Sequence, residues 1–581
     1  MHFSYKKPNA IMKLKFKKEL KISDTMASIL INKGIGLEEA RALYNDPSEL
    51  FVAEAEKICG LSDVADALMN QQDRVIAIFA DYDVDGFTSG FILHTFLRHY
   101  MQYDAAVYYP EREEGYGLNM AWAKKAVRAA EKAGKPLTVV CVDNGITQVE
   151  EIAFLKENGA QVYVVDHHEP TGVLPDADAI CDAWIDRGYG THLCAAGVAW
   201  KLVGYIAEKL MPADDVAELT SYWLPYVALA TVADVMPACA ENHAIIQSGL
   251  KAMNDGESPA VKALMDAESI ELLRTKDIAW SIAPEINACS RMNRTELARE
   301  LFALEGEADE KKLRKLVQHI RSVNKERKNI CERAIRDMLA NNDFSTSIVA
   351  MADGSDYPLG IIGILAGKLA EALGRPAIVY RKAGGDDIGY GSARAPEGVD
   401  VKALVNYEAA KGNAVGALGH AEACGVTIIP SKIDEFNADL IASGMVSVES
   451  VQAEETETKI PVDVVITPDE ITYEIRREVN SFGYASKEIP SLALVDVEVK
   501  ALPWETSSGK RHVLFRMEDS KGKAKYAVLW NGLDEYESIG SPERVSFTGT
   551  LDNGAFCSYF KGASLSEHST MITIDKLLPV A

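Results

Sequence analysis

Cations are scarce in this 581-residue chain: 61 lysines and arginines stand against 86 aspartates and glutamates, a net charge of −25. That balance argues against a general nucleic-acid coat protein, whose surface is usually basic. It leaves room for an enzyme with a local basic groove, because a carboxylate cluster built for metal itself adds negative charge. Long apolar runs are also missing. None reaches the length needed to cross a bilayer, and the start, Met1-His2-Phe3-Ser4-Tyr5-Lys6-Lys7, has no apolar signal segment. A cytoplasmic protein without a membrane partner is therefore expected. Paired cysteines are absent too. The nine cysteines are odd in number and scattered, with no C-x-x-C pair, which argues against a disulfide framework or a zinc site and for reduced thiols.

What is present suits a folded chain, 48% hydrophobic and 25% charged. Its length exceeds one core and implies three or four domains. Residues 1–70 read as an N-terminal helical segment, with helical apolar spacing over Ser23 to Asn32 and Leu37 to Tyr44. Strands and helices then alternate through a first unit, 71–305, which predicts an α/β fold with a parallel, doubly wound sheet. Its strands fall at 75–79, 105–109, 137–142 and 162–165, and its helices at 88–100, 121–133 and 148–158, with Gly159 as a stop. The stretch 309–342 lacks Pro and Gly and predicts a long connecting helix within 306–343. A smaller α/β unit follows over 344–435, with strands at 347–351 and 377–380, a helix at 360–373 and two glycine-rich patches. The acidic run Glu454-Glu455-Thr456-Glu457-Thr458 reads as a flexible connection. From 460 to 581, short alternating strands at 492–499, 512–517, 524–529, 544–550 and 571–574 suggest a small closed or partly closed β-barrel, of which the OB-fold is a common nucleic-acid-binding form.

Four acidic patches stand where apolar stretches end: Asp81-Tyr82-Asp83-Val84-Asp85-Gly86, Asp143-Asn144-Gly145, Asp166-His167-His168, and Asp234. Ligands of open α/β sheets bind outside the carboxyl ends of the strands, so three strands would deliver carboxylates to one rim. Asp83 and Asp85, one residue apart, can share a face, and Gly86 permits a tight turn into the next helix. Taken singly, each patch has an ordinary reading. A solvated acidic turn explains the first and a helix cap the second, whereas adjacent histidines after a buried strand are less common in a core. Asp234 in apolar surroundings needs a partner, and a cation is the simplest. Hard oxygen ligands with some imidazole suit Mn²⁺ or Mg²⁺, as a pair bridging one phosphate.

DYDVDG, VDNG, VDHH and ATVADVMP, in this order, resemble the four motifs of the DHH phosphoesterase superfamily. PEREEGYGLN (110–119), LCAAGVAWKL (193–202) and APEINACSRM (283–292) resemble RecJ-type single-strand-specific exonucleases. PLGIIGILAGKLAEALGRPAIVY (358–380), GSARAP (391–396) and GALGHAEACGV (416–426) resemble the associated DHHA1 domain, and NSFGYASKEIPSLAL (480–494) the OB-fold domain. The likeness covers residues 70 to 575.

The resemblance implies a metal-dependent 5′-to-3′ exonuclease that hydrolyses single-stranded DNA to mononucleotides in DNA repair and recombination. Its partners would be single-stranded DNA and a single-strand-binding protein or helicase. Asp81, Asp83, Asp85, Asp143, His167 and Asp234 would hold two ions, with Asp143 the bridge. His168 would contact the scissile phosphate or the attacking water, and Asp166 would orient a histidine. Arg112, Arg291, Ser392, Arg394, Gly419 and His420 would hold the terminal nucleotides. Asn287, Asn324 and Arg327 could line the strand channel, and Trp504, Arg511, Tyr526 and Trp530 could serve the barrel, by stacking or as its core. Some relatives carry a histidine where Phe79 stands here. Leu418-Gly419 replaces a glycine pair, NACSR replaces NAAGR, and Tyr484 to Glu488 replace a Gly-Asn-Pro-rich turn. The rival readings are a phosphodiesterase for short oligonucleotides or cyclic dinucleotides, which usually lacks this barrel, and a non-catalytic scaffold, which would bind no ion pair.

Overall fold

Strand Leu137–Val142 is buried at every position, as Leu-Thr-Val-Val-Cys-Val should be at the centre of a parallel sheet covered on both faces. The computed structural model describes residues 2–37, 40–41, 54–237, 239–304, 310–384, 387–396, 398–443, 459–482, 490–506, 509–553 and 570–579. In the first unit five parallel strands lie in the order 104–108, 75–80, 137–142, 161–165, 179–181. Ala80 stands opposite Val142, and Val142 opposite Val165. The next residues of those three strands, Asp81, Asp143 and Asp166, therefore leave the sheet side by side. Phe79 faces the layer of helix Met120–Ala133, its ring 4.9 Å from that of Trp122.

Helix Val84–Thr95 begins four residues before the expected Thr88. Asp83 caps it, accepting from the amides of Asp85 (3.0 Å) and Gly86 (3.2 Å). Gly86 is required by contact. A Cβ there would lie 2.3 Å from the carbonyl oxygen of Asp81. Helices Ala195–Leu210, Ala213–Ala233, Ala240–Asp255, Pro259–Glu268, Ala283–Arg291 and Thr295–Ala303 follow and pack into one core with the sheet.

Helix Glu310–Asn341 joins two cores. Leu313, Leu316, Val317, Ile320 and Val323 belong to the first unit's core, whereas Cys331, Ala334 and Met338 pack with Ile362, Leu365 and Leu369 of the second. At 1.5 Å per residue its length is about 48 Å. The second unit has a five-stranded sheet in the order 414–419, 423–428, 389–394, 377–382, 350–353, with only the last pair parallel. Its first strand starts at Ala350, later than the expected Ser347. The Arg375 guanidinium takes up the carbonyls of Phe344 (2.9 Å) and Ser347 (2.6 Å) before pairing begins.

The C-terminal part is a seven-stranded mixed sheet consistent with an OB-like domain. Its order runs from 464–465 through 492–498, 544–553, 570–579, 524–529 and 511–518 to 500–505, with no closing pair among the described residues. The first 70 residues do not act as one segment. Strand His2–Ser4 pairs with Lys459–Pro461, and Met26, Ile29 and Leu30 of helix Asp24–Asn32 share a core with Leu492, Phe515 and Phe547. Ser23 N donates to Glu478 at 2.8 Å and Thr25 Oγ1 to Glu470 at 2.7 Å. Helix Leu61–Leu68 belongs instead to the first unit. Much of the helix expected over 37–44, the acidic connection 454–458 and the turn 484–488 lie outside the described residues. Among those described, no disulfide occurs and no helix is long and apolar enough to cross a membrane.

Candidate active site

The rim set up by strand register collects six carboxylates and two imidazoles. His167 Nε2 lies 3.3 Å from Asp143, 3.6 Å from Asp85 and 3.7 Å from Asp234. Three groups of side chains present ligand atoms within 4.8 Å of one another: Asp81–Asp83–Asp143, Asp85–His167–Asp234 and Asp143–His167–His168. Asp143 is thus common to the group at the first patch and to a histidine group. It sits at φ 62°, a left-handed conformation that aspartate adopts more readily than most residues. Both oxygens of Asp85 are fixed by the first amides of helix Ala195–Leu210, Ala195 N and Ala196 N, each at 2.7 Å. That is where a helix end favours negative charge. Asp234 ends helix Ala213–Ala233, and Val235 after it turns the chain at φ 54°.

Concentrated negative charge marks the centre. Burial, then Asp83, holds the Asp81 carboxyl well above its ordinary range. Burial, then Asp85, Asp83 and Asp81, does the same to Asp143. Asp234 is pushed up by burial and by Asp85 and Asp83. Asp85 is raised by burial, against the opposing pull of His167. Asp81 Oδ1 is buried without a hydrogen-bond partner. An orphaned carboxylate oxygen among raised carboxyls is what a divalent cation would satisfy, so these residues fit Mn²⁺ or Mg²⁺.

Asp166 differs. Burial opposes its charge, but the bond from His168 Nδ1 (2.7 Å), the charges of His168 and His167 and the bond from Ile146 N (3.1 Å) hold its pKa below the usual value, and His167 N also donates to it at 2.8 Å. In turn His168 is lifted to about 9, the bond to Asp166 outweighing burial. Its Nε2 lies 3.2 Å from the hydroxyl of Tyr116.

Tyr116 connects this rim to a cavity of about 1030 Å³ between the two α/β units. Arg112, Arg291 and Arg394 line it with Ser392, and among the described residues no carboxylate does. Arg112 lies 4.2 Å over the ring of Tyr82, beside the first acidic patch. Arg291 donates to the carbonyl of Gly360 at 2.9 Å, bridging the units, and its pKa falls to about 10 through burial and the Arg112 and Arg327 cations. A Cβ on Gly360 would come within 2.5 Å of Arg291 Cα, so backbone meets backbone there. Arg394 donates to Ser392 Oγ at 2.7 Å.

Other expected residues fall elsewhere. Gly419 and His420 are exposed at the end of strand 414–419 and do not line the cavity; Leu418, 84% exposed, does. Asn287 holds the first patch by accepting from Val84 N (3.2 Å). Asn324 is buried between Glu285 and Arg327. Tyr526 is buried and Arg511 is paired with Asp534 and Glu537, whereas Trp504 and Trp530 gather with His512, centroids 4.6–5.7 Å apart. Three site features escaped the sequence: Tyr116, the amides of Ala195 and Ala196, and Ile146 N. Only Tyr116 had a visible mark, its place between Gly115 and Gly117, both at positive φ.

The DHH family N-terminal domain matches residues 75–231 and the DHHA1 domain residues 345–443. The single-stranded-DNA-specific exonuclease RecJ of Dickeya dadantii is 30% identical over 451 residues, 72% of this chain and 74% of that protein. The Bacillus subtilis protein of the same name is 26% identical over 576 residues, 95% of this chain and 68% of that one. Among solved structures, RecJ in complex with Mn²⁺ from Thermus thermophilus superposes with a TM-score of 0.76 at 21% identity, covering 99% of this chain and 78% of that one. An exonuclease RecJ bound to manganese gives 0.56 at 25% identity, covering 68% and 98%.

Proposed function

The chain belongs to the RecJ family of single-stranded-DNA-specific exonucleases, and from that membership we propose that it removes mononucleotides from the 5′ end of single-stranded DNA with two divalent ions. One observation carries the reading. A rim of carboxylates and histidine adjoins, through Tyr116 and Arg112, a cavity lined by three arginines and, among the described residues, no acid.

Asp81, Asp83 and Asp143 would hold one ion, and Asp85, His167 and Asp234 the other, with Asp143 shared. Bound there, Mn²⁺ or Mg²⁺ supplies a water of lowered pKa and neutralises charge at the phosphate. The protein's own residues do the rest. Arg112, Arg291 and Arg394 take the phosphates of the strand end, Arg being suited to bidentate donation. Ser392, tied to Arg394, sets the guanidinium's angle. His168, oriented through Nδ1 by Asp166, directs Nε2 at the phosphate, with Tyr116 beside it. Gly419 and His420 would meet the strand only beyond the cavity. Trp504 and Trp530 offer stacking faces for bases further along. A helicase or single-strand-binding protein would present the strand, and repair and recombination are the processes such an activity serves.

A single strand labelled at either end, given to the wild type and to Asp143→Asn with Mn²⁺, tests this. The 5′ label should appear at once as a mononucleotide, only with the wild type. Release from the 3′ end, or survival of the long strand, would refute the proposal.

A further inference from the structure

A second buried charged cluster lies in the first unit, outside the acidic rim. Glu241, in the first turn of helix Ala240–Asp255, accepts from Tyr189 OH at 2.8 and 2.7 Å, from His192 Nε2 at 2.7 Å and from Lys201 Nζ at 2.5 Å. The Lys201 side chain has no exposed surface. Its ammonium lies 5.6 Å from the Tyr189 ring and 5.5 Å from that of Trp200. The neighbouring Asn242 donates to the carbonyls of His192 (2.7 Å) and Pro237 (2.9 Å).

A buried ion pair adds little stability over apolar residues of the same volume, so stability does not account for this knot. Its connections do. It ties the segment 189–201 to Pro237 and to Glu241 and Asn242. That segment contains the amides of Ala195 and Ala196 that grip Asp85. Pro237 stands three residues after Asp234, whose turn is shaped by Val235 at φ 54°. Asp85 and Asp234 both lie close to His167 Nε2, at 3.6 and 3.7 Å.

We propose that Glu241, with Lys201 and His192, is a positioning residue for the ion held by Asp85, His167 and Asp234. It sets the spacing of two ligands that come from different helices. The inference rests on the metal reading above.

Mn²⁺ titration calorimetry on the full chain tests it, alongside the melting temperature without metal. Three proteins are compared: wild type, Glu241→Gln, and the paired Lys201→Met/Glu241→Gln, which removes the fully buried Lys201 ammonium together with the Glu241 charge. Glu241→Gln should weaken one of two Mn²⁺ sites by about tenfold to a hundredfold, the range for outer-shell partners of metal ligands, and leave the other unchanged. The paired variant should regain the metal-free melting temperature without regaining affinity. Wild-type affinity in Glu241→Gln would overturn the proposal. So would recovery of affinity together with melting temperature in the paired variant, since the knot would then be structural only. A wild type that takes up no Mn²⁺ would instead overturn the metal reading itself.

Discussion

Replacing Asp143 by asparagine should stabilise the metal-free protein while abolishing exonuclease activity. Asp143 is 3% exposed, and its carboxylate shares a 4.8 Å sphere with those of Asp81 and Asp83. Two unit charges 4.8 Å apart, at an effective dielectric of about 20, repel by about 3 kcal/mol. Part of this is relieved by proton uptake, which is why Asp143 is held well above the ordinary carboxylate range. A carboxyl whose folded-state pKa is raised contributes stability that is complete below its unfolded value and is lost as pH rises through the folded one. The penalty therefore grows with pH, and at about pH 8 the Asp143→Asn substitution should be worth about 2 kcal/mol to the metal-free fold. For a unit of this size that is a rise of about 4–8 °C in melting temperature. Asparagine also tolerates φ 62° well. Thermal unfolding without metal at pH 5 and pH 8 is the assay. The gain should be present at pH 8 and nearly vanish at pH 5, where the wild-type cluster carries protons. A variant less stable than wild type at pH 8, or an equal gain at both pH values, would refute the electrostatic account.

Mn²⁺ affinity should rise from pH 6 to pH 8, because Asp81, Asp143 and Asp234 are all raised and must lose protons to bind; calorimetry in buffers of different ionisation enthalpy should show the protons released. Gly86→Ala should cost about 1–3 kcal/mol of stability, read by chemical denaturation, and eliminate turnover, since its Cβ would press on the Asp81 carbonyl. Arg394→Ala should raise KM for a long strand with kcat little changed, and lower the slope of log affinity against log salt by about one.

The acidic rim was legible because it obeys a one-dimensional rule. Each of Asp81, Asp143 and Asp166 is the first residue past a strand, and parallel register aligns strand ends. The long helix was legible for a similar reason, as periodic apolar positions over an unbroken stretch. What was hidden depends on contacts between distant segments. Asn287, expected along the DNA path, serves the Val84 amide 203 positions away. Gly419 and His420, exposed at the end of strand 414–419, do not line the cavity, whereas the likewise exposed Leu418 does. Arg511 and Tyr526 looked alike as barrel candidates, yet one is committed to Asp534 and Glu537 and the other to the core. Backbone donors such as Ala195 N carry no side-chain signal at all.

The placing of residues 2–32 on the C-terminal sheet has a consequence for biosynthesis. Ser23 and its acceptor Glu478 are separated by 455 positions. At about 5–20 residues per second, helix Asp24–Asn32 leaves the ribosome about 20–90 s before its partner is made. In that interval the two α/β units can complete their own cores, while Met26, Ile29 and Leu30 remain in water or in the hands of a chaperone. The catalytic half can thus mature during translation, whereas the first-made helix docks among the last.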